Sequence, residues 1–119
     1  MSTSEREIQN SIRLMLPTLG CTAWRANVGQ AWTGSEIQRL PDGSMFIRNA
    51  RPFASGLPPG FSDLFGMVHE TGKFFAIEVK SQTGRPTKQQ ENFIEFINNH
   101  GGLAGIARSV DDAKKIIGG

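Results

Sequence analysis

The strongest constraint on the fold is the run at residues 74–80, Phe-Phe-Ala-Ile-Glu-Val-Lys, in which an apolar, strand-like stretch ends in an acid and a base. Strand side chains alternate between two faces, so Glu78 and Lys80 lie on the same face. Four consecutive apolar residues favour burial of both faces of this strand. Charged groups that conflict with such surroundings usually mark a site. The alternative is a solvent-exposed ion pair, which would contribute little to stability.

A second strand is predicted at residues 62–68, and the polar connection His-Glu-Thr-Gly at 69–72 predicts a hairpin with a strand at 73–81. If Val68 pairs with Lys73, Asp63 lies opposite Glu78. The Cβ atoms of directly paired residues are about 5 Å apart. This register therefore predicts two carboxylates close enough to share one cation, and a slip of one residue would separate them.

The remaining periodicity predicts a helix at 4–16, a strand at 22–28, a helix at 87–100, a strand at 103–107 and a last helix that Ser109 caps. Residues 29–60 are rich in turn residues, which predicts a polar excursion with a hairpin of strands 36–40 and 45–48. The order α-β-β-β-α-β-α predicts an α/β fold, a single domain over residues 1–119 with helices on both sides of a small mixed sheet.

Two helices are expected to direct polar side chains toward the central strand. At about 100° per residue, Glu5 lies roughly 35° from the centre of the first helix's apolar stripe, and Gln90 lies roughly 40° from that of the second. A first-turn acid also suits the helix dipole, and Ser2 with Glu5 or Thr87 with Gln90 matches a capping box, so a purely structural role stays open for both. Core packing is predicted for Trp24 and Phe96.

Composition excludes several classes of protein. With one cysteine, Cys21, the chain has no internal disulfide and no zinc pattern. No apolar stretch is long enough to span a membrane, and the N-terminus has no secretory pattern, so we expect a cytoplasmic protein. The net charge of +2 is too small to indicate nucleic-acid binding by itself.

The polar groups of the central strand suit a hard divalent cation. Mg²⁺ prefers oxygen ligands, usually one or two carboxylates together with waters and a substrate phosphate. Asp63 and Glu78 supply carboxylates, and the Val79 carbonyl is a candidate third ligand. A cation held there can activate water for phosphodiester hydrolysis. Lys80 is placed to orient that water or to stabilise the phosphate.

Five stretches resemble the PD-(D/E)XK nuclease superfamily and, within it, the small stand-alone VRR-NUC domains found in phages. They are Ser4-Glu5-Arg6-Glu7-Ile8-Gln9, Arg25-Ala26-Asn27-Val28-Gly29, Gly60-Phe61-Ser62-Asp63-Leu64, Ile77-Glu78-Val79-Lys80-Ser81 and Gly84-Arg85-Pro86-Thr87-Lys88-Gln89-Gln90. Ser62 replaces the proline of the Pro-Asp motif; since proline stiffens the chain and donates no chemistry, Asp63 is still expected to function.

This resemblance implies a restriction-endonuclease-like core and a structure-specific DNA endonuclease that uses Mg²⁺ or Mn²⁺. It places Glu5, Asp63, Glu78, Lys80 and Gln90 on the family's active-site positions. It also implies a homodimer that acts on branched DNA such as Holliday junctions, in the cytoplasm of a bacterial host if the gene is viral.

Candidate DNA-binding residues lie in two basic stretches, at 24–51 and 80–88; they are Arg25, Asn27, Arg51, Arg85 and Lys88. An ordinary solvated surface explains either stretch equally well, as strand-end hydrogen bonding does for Arg25 and Asn27. Two alternatives to a DNA endonuclease stay open: a non-catalytic DNA-structure-binding module of the same fold, and an RNA-directed nuclease.

Overall fold

The computed structural model describes residues 3–26, 31–53 and 56–118. The elements in chain order are α1 (Glu5–Met15), a 3₁₀ turn (Leu16–Leu19), β1 (Cys21–Arg25), β2 (Ala31–Thr33), β3 (Glu36–Arg39), β4 (Met45–Arg48), β5 (Arg51–Phe53), β6 (Leu64–Val68), β7 (Phe74–Val79), α2 (Lys88–Asn99), β8 (Leu103–Ala107) and α3 (Val110–Gly118). The predicted mixed α/β fold is confirmed, and no helix in these ranges is long and apolar enough to cross a membrane.

The chain divides into two compact units, residues 1–26 with 58–119 and residues 27–57. The second unit holds the predicted hairpin, β3 paired with β4, and an antiparallel pair of β2 with β5 that was not predicted. Exposed apolar side chains cover much of this unit: Trp32, Ile37, Met45 and Phe46. The single-domain organisation stays a prediction.

The first unit is built on a four-stranded sheet in the order β1-β6-β7-β8. β6 is antiparallel to both β1 and β7, whereas β7 and β8 are parallel and joined by α2. Leu64 pairs with Ile77, and the Val68 N–H donates to the Lys73 carbonyl at 2.9 Å. The predicted hairpin register is confirmed, and the regular pairing ends at Leu64 and Ile77. Extended by one residue, the same register sets Asp63 opposite Glu78.

The apolar core lies on one face of the sheet. Phe75, Ile77 and Val79 of β7 pack there with Ile12 of α1 and Ala113 of α3. The opposite face is covered by α2, which packs on β7 and β8. β7 is therefore buried on both faces, as its sequence predicted, and Glu78 is only 2% exposed.

Two aromatic side chains that were predicted to be in the core are exposed, and both predictions were wrong. Trp24 is 52% exposed because it lies on the edge strand β1, beyond the part of the sheet that α2 covers. Phe96 is 57% exposed. A helix turns about 100° per residue, so Phe96 lies roughly 100° from the centre of the face that carries Phe93, Ile94 and Ile97.

Candidate active site

The Asp63 side chain joins the start of β6 to the end of β7, because its carboxylate accepts a hydrogen bond that a main-chain carbonyl would otherwise accept. Continuing the antiparallel ladder past Leu64 would pair the Val79 N–H with the main chain of Ser62. Instead, the Val79 N–H donates to Asp63 Oδ2 at 2.9 Å. The strand predicted from residue 62 therefore starts at Leu64, and the Asp63 carboxylate is fixed against the end of β7.

The segment before Asp63 is held against α2. Gly60 has φ +82°, and a Cβ at this position would come within 2.2 Å of the Gln89 carbonyl oxygen, so the close approach requires glycine. The Phe61 ring packs on Phe93 of α2 with 4.8 Å between ring centroids. Ser62, which stands where the family motif has proline, is fully buried. Backbone conformation and ring packing thus position the carboxylate.

The two oxygens of Glu78 have different surroundings. Oε1 accepts a hydrogen bond from Gln90 Nε2 at 2.9 Å and lies 3.8 Å from Lys80 Nζ. Oε2 is buried and has no hydrogen-bond partner among the described residues. A buried, unpaired carboxylate oxygen is costly. This orphan atom, beside a second carboxylate, is what a divalent cation would satisfy, so the residues fit the predicted metal.

These surroundings raise the pKa of Glu78 to about 8. Burial makes the largest contribution, followed by the negative charge of the nearby Asp63 carboxylate. Lys80 acts in the opposite direction. Without a cation, the pair therefore tends to retain a proton at neutral pH.

The Gln90 side chain both caps α2 and contacts Glu78. Its Oε1 accepts from the Thr87 N–H at 2.9 Å, and Thr87 Oγ1 accepts from the Gln90 N–H, which completes a capping box at the start of α2. The same side chain donates its Nε2 to Glu78. Because the cap requires Oε1, the amide can face Glu78 only as a donor. The cap thus orients a residue of the site.

Glu5 does not form a cluster of metal ligands with Asp63 and Glu78. It is exposed at the start of α1, where the Ser4 hydroxyl caps the helix by accepting from the Glu7 N–H at 3.2 Å. Glu5 and Asp63 line the same surface recess. However, in the described part of the chain no three His, Cys, Asp or Glu side chains are placed to hold one metal ion together.

The predicted DNA-binding residues are dispersed. Arg25 lines the recess that contains Asp63, and Arg85 lines a recess beside the loop after β7. Lys88 is exposed in the first turn of α2, and Arg51 lies in β5 of the second unit. Asn27 lies outside the described residues.

Sequence reasoning missed Arg108. Its Nη1 donates to the Ser81 carbonyl and, at 2.6 Å, to the Gly84 carbonyl, which anchors the loop that follows Lys80. The signal that would have identified it is the strand-helix-strand order. The carboxyl ends of parallel β7 and β8 lie side by side, so the residue after Ala107 lies beside Lys80.

Comparison with known protein families gives one match. The sequence model of the VRR-NUC domain family matches residues 3–111, which include all five predicted active-site residues. None of the curated proteins compared with the chain matches its sequence significantly.

Proposed function

The chain belongs to the VRR-NUC domain family, and from this premise we propose that it is a divalent-metal-dependent, structure-specific DNA endonuclease. Membership implies a nuclease-type function with DNA as the substrate. The observation that carries the proposal is the pairing of Asp63 with Glu78, in which Glu78 Oε2 is buried without a partner. Hydrophobic packing alone would not place two carboxylates together in this way.

Nucleases of this family are generally dependent on divalent metals. Asp63 and Glu78 would hold Mg²⁺ or Mn²⁺, with the Val79 carbonyl as a third ligand. The Val79 N–H points to Asp63, and the N–H and C=O of a strand residue point to the same side, so this carbonyl faces the Asp63 side. When bound, the cation supplies an activated water and charge stabilisation for the phosphate.

The other site residues would orient the Glu78 carboxylate and the attacking water and would balance negative charge in the site. Gln90 holds Glu78 Oε1, so the unpaired Oε2 is the oxygen that would bind the cation. Lys80 is mostly buried, with 15% of its side chain exposed, and lies beside the same carboxylate. Its ammonium is placed to orient the attacking water or to stabilise the charge that develops on the phosphate. Glu5 would act from the edge of the site through water.

Branched DNA such as a four-way junction is the substrate that we propose, and a symmetric homodimer is the proposed assembly. Two-fold symmetry would present one active site to each of two strands. Both points rest on the family resemblance.

The test is a cleavage assay on labelled four-way, flap, duplex and single-stranded DNA and on RNA, with Mg²⁺ or Mn²⁺. We expect cleavage of branched DNA to fall to background in Asp63→Ala and Glu78→Ala. Glu70→Ala, which removes an exposed acid from the β6–β7 turn, should cleave like the wild type. Undiminished cleavage by both site variants would overturn the assignment. DNA binding without cleavage by any divalent ion would indicate a non-catalytic module, and faster cleavage of RNA would indicate an RNA-directed enzyme.

A further inference from the structure

A surface recess of about 660 Å³ beside Asp63 is lined mainly by donors of hydrogen bonds. Its lining residues are Glu5, Arg6, Gln9, Asn10, Arg13, Arg25 and Asp63. Three of these are arginines and two carry side-chain amides. Two of the lining residues, Glu5 and Asp63, belong to the predicted active site, whereas the other five have no predicted catalytic role.

Four of the lining residues form a single stripe along α1. Arg6, Gln9, Asn10 and Arg13 follow the i, i+3, i+4, i+7 spacing that places residues on one face of a helix. The opposite stripe of α1, with Ile8, Ile12 and Met15, is buried in the core. The helix is thus anchored by one face and presents donors on the other.

These hydrogen-bond donors have no partner in the part of the chain that the structure describes. Among the described residues, Arg6, Arg13 and Arg25 form no ion pair, and the side chains of Gln9 and Asn10 make no hydrogen bond. Arginines that stabilise a fold usually hold a carboxylate or a carbonyl oxygen, as Arg108 does here. Three unpaired guanidinium groups and two free amides in one recess are available to an external anion.

We propose that this stripe of α1, together with Arg25, binds the sugar-phosphate backbone of the DNA strand on the Asp63 side of the site. This inference rests on the proposed function, because it takes the strand to be the one that enters the active site. Arg6 and Arg13 are seven residues apart, a rise of about 10 Å along the helix. This separation is long enough for the two guanidinium groups to contact different phosphates of one strand.

The chemistry favours a backbone over a base edge or a small anion. Arginine and side-chain amides are typical partners of phosphate oxygens, and such contacts set position without reading sequence. The lining donors extend along α1 from Arg6 to Arg13, which is farther than a single small anion reaches. A strand bound there would lead to Asp63 and thus to the candidate metal position between Asp63 and Glu78.

The experiment measures binding of fluorescein-labelled four-way junction and duplex DNA by anisotropy in EDTA, over a series of salt concentrations. We expect the double variant Arg6→Ala/Arg13→Ala to bind both DNAs more weakly. The slope of log K against log[salt] should become shallower by about two, since each lost phosphate contact removes about one from the slope. Arg6→Lys/Arg13→Lys should restore most of the slope.

The matched control is Lys114→Ala/Lys115→Ala, which removes two exposed charges from α3 and should leave the slope near the wild-type value. Alanine is a good helix former, so both double variants should fold, as circular dichroism would verify. An unchanged slope in the α1 variant would overturn the proposal even if the wild type cleaves DNA. Binding of polyglutamate, a polyanion without phosphate, is measured in parallel. If the α1 double variant loses binding to polyglutamate but keeps its binding to DNA, the proposal is also overturned. A shallower slope in a protein that cleaves no substrate would support the backbone site while refuting the nuclease.

Discussion

From Phe75 to Val79 both faces of β7 are buried, but the two faces are chemically opposite. On one face, Phe75, Ile77 and Val79 are fully enclosed by the apolar core beneath α1 and α3. On the other face, Glu78 is buried beneath α2 with Lys80 beside it, and one carboxylate oxygen has no partner. Burial stabilises the first face through removal of apolar surface from water. On the second face, the same burial raises the pKa of an acid.

The difference shows how one strand supports both the fold and the site. The apolar face contributes the stability that keeps Glu78 in an unfavourable environment, and a well-packed core holds the two carboxylates at a defined separation. Natural proteins commonly accept local conflicts of this kind at functional sites. Substitutions on the two faces should therefore have opposite effects on stability, and each of the following predictions tests part of that contrast.

The largest stability effect is expected on the apolar face. Phe75→Ala removes a fully buried ring and should lower the free energy of unfolding by about 3–5 kcal/mol, because the cavity is only partly filled by its neighbours. Urea denaturation measures this loss. Phe96→Ala is the matched control: its ring is mostly exposed, so a change below about 1 kcal/mol is expected. Equal losses in the two variants would contradict the core assignment.

On the opposite face, Glu78→Gln should remove a pH-dependent destabilisation. The pKa of Glu78 is raised from 4.5 to about 8, so between these values the folded protein holds a proton that the unfolded chain has released. The free energy of unfolding of the wild type in EDTA should therefore fall as pH rises from 5 to 8. The Gln variant lacks this contribution and should gain stability relative to the wild type as pH rises.

Denaturation curves at pH 5 and pH 8 measure this effect. Glu70→Gln serves as its control, since Glu70 is exposed and its substitution should leave the wild-type trend in place. If the wild type and the Glu78 variant show parallel pH profiles, the proposed environment of Glu78 is wrong.

The smallest change in stability is expected at the start of α2, where the helix cap also holds Gln90 against Glu78. Thr87→Ala removes the capping hydroxyl and should cost about 1 kcal/mol of stability. It also loosens the turn that orients Gln90 toward Glu78, so we expect slower cleavage of branched DNA as well. Thr83→Ala, in the exposed loop before α2, should change neither quantity. A variant with lost stability and wild-type cleavage would show that Gln90 is positioned independently of its cap.

Much of the fold was predictable because its signals are local. The apolar run of residues 74–77 and the short polar turn at 69–72 predicted the hairpin, and its predicted register is confirmed at Leu64 and Ile77. Helical spacing predicted α1 and α2 within a residue or two at each end. The roles of Asp63, Glu78, Lys80 and Gln90 stay predictions, although the structure brings these four side chains together.

Other features required the tertiary structure, because they depend on which layer covers each face. Trp24 is apolar by sequence, but only the position of α2 on β7 and β8 determines that it is exposed. Likewise, Arg108 meets the loop after Lys80 only because β7 and β8 are parallel neighbours.

The sequence by itself determined that a strand carries Glu78 and Lys80 on one face, since alternation is a property of the extended chain. Only the tertiary structure decided that Glu78 is buried, that its Oε2 is unpaired and that its pKa is raised. Desolvation and proximity to a second charge are produced by packing between distant segments, and no local pattern specifies them.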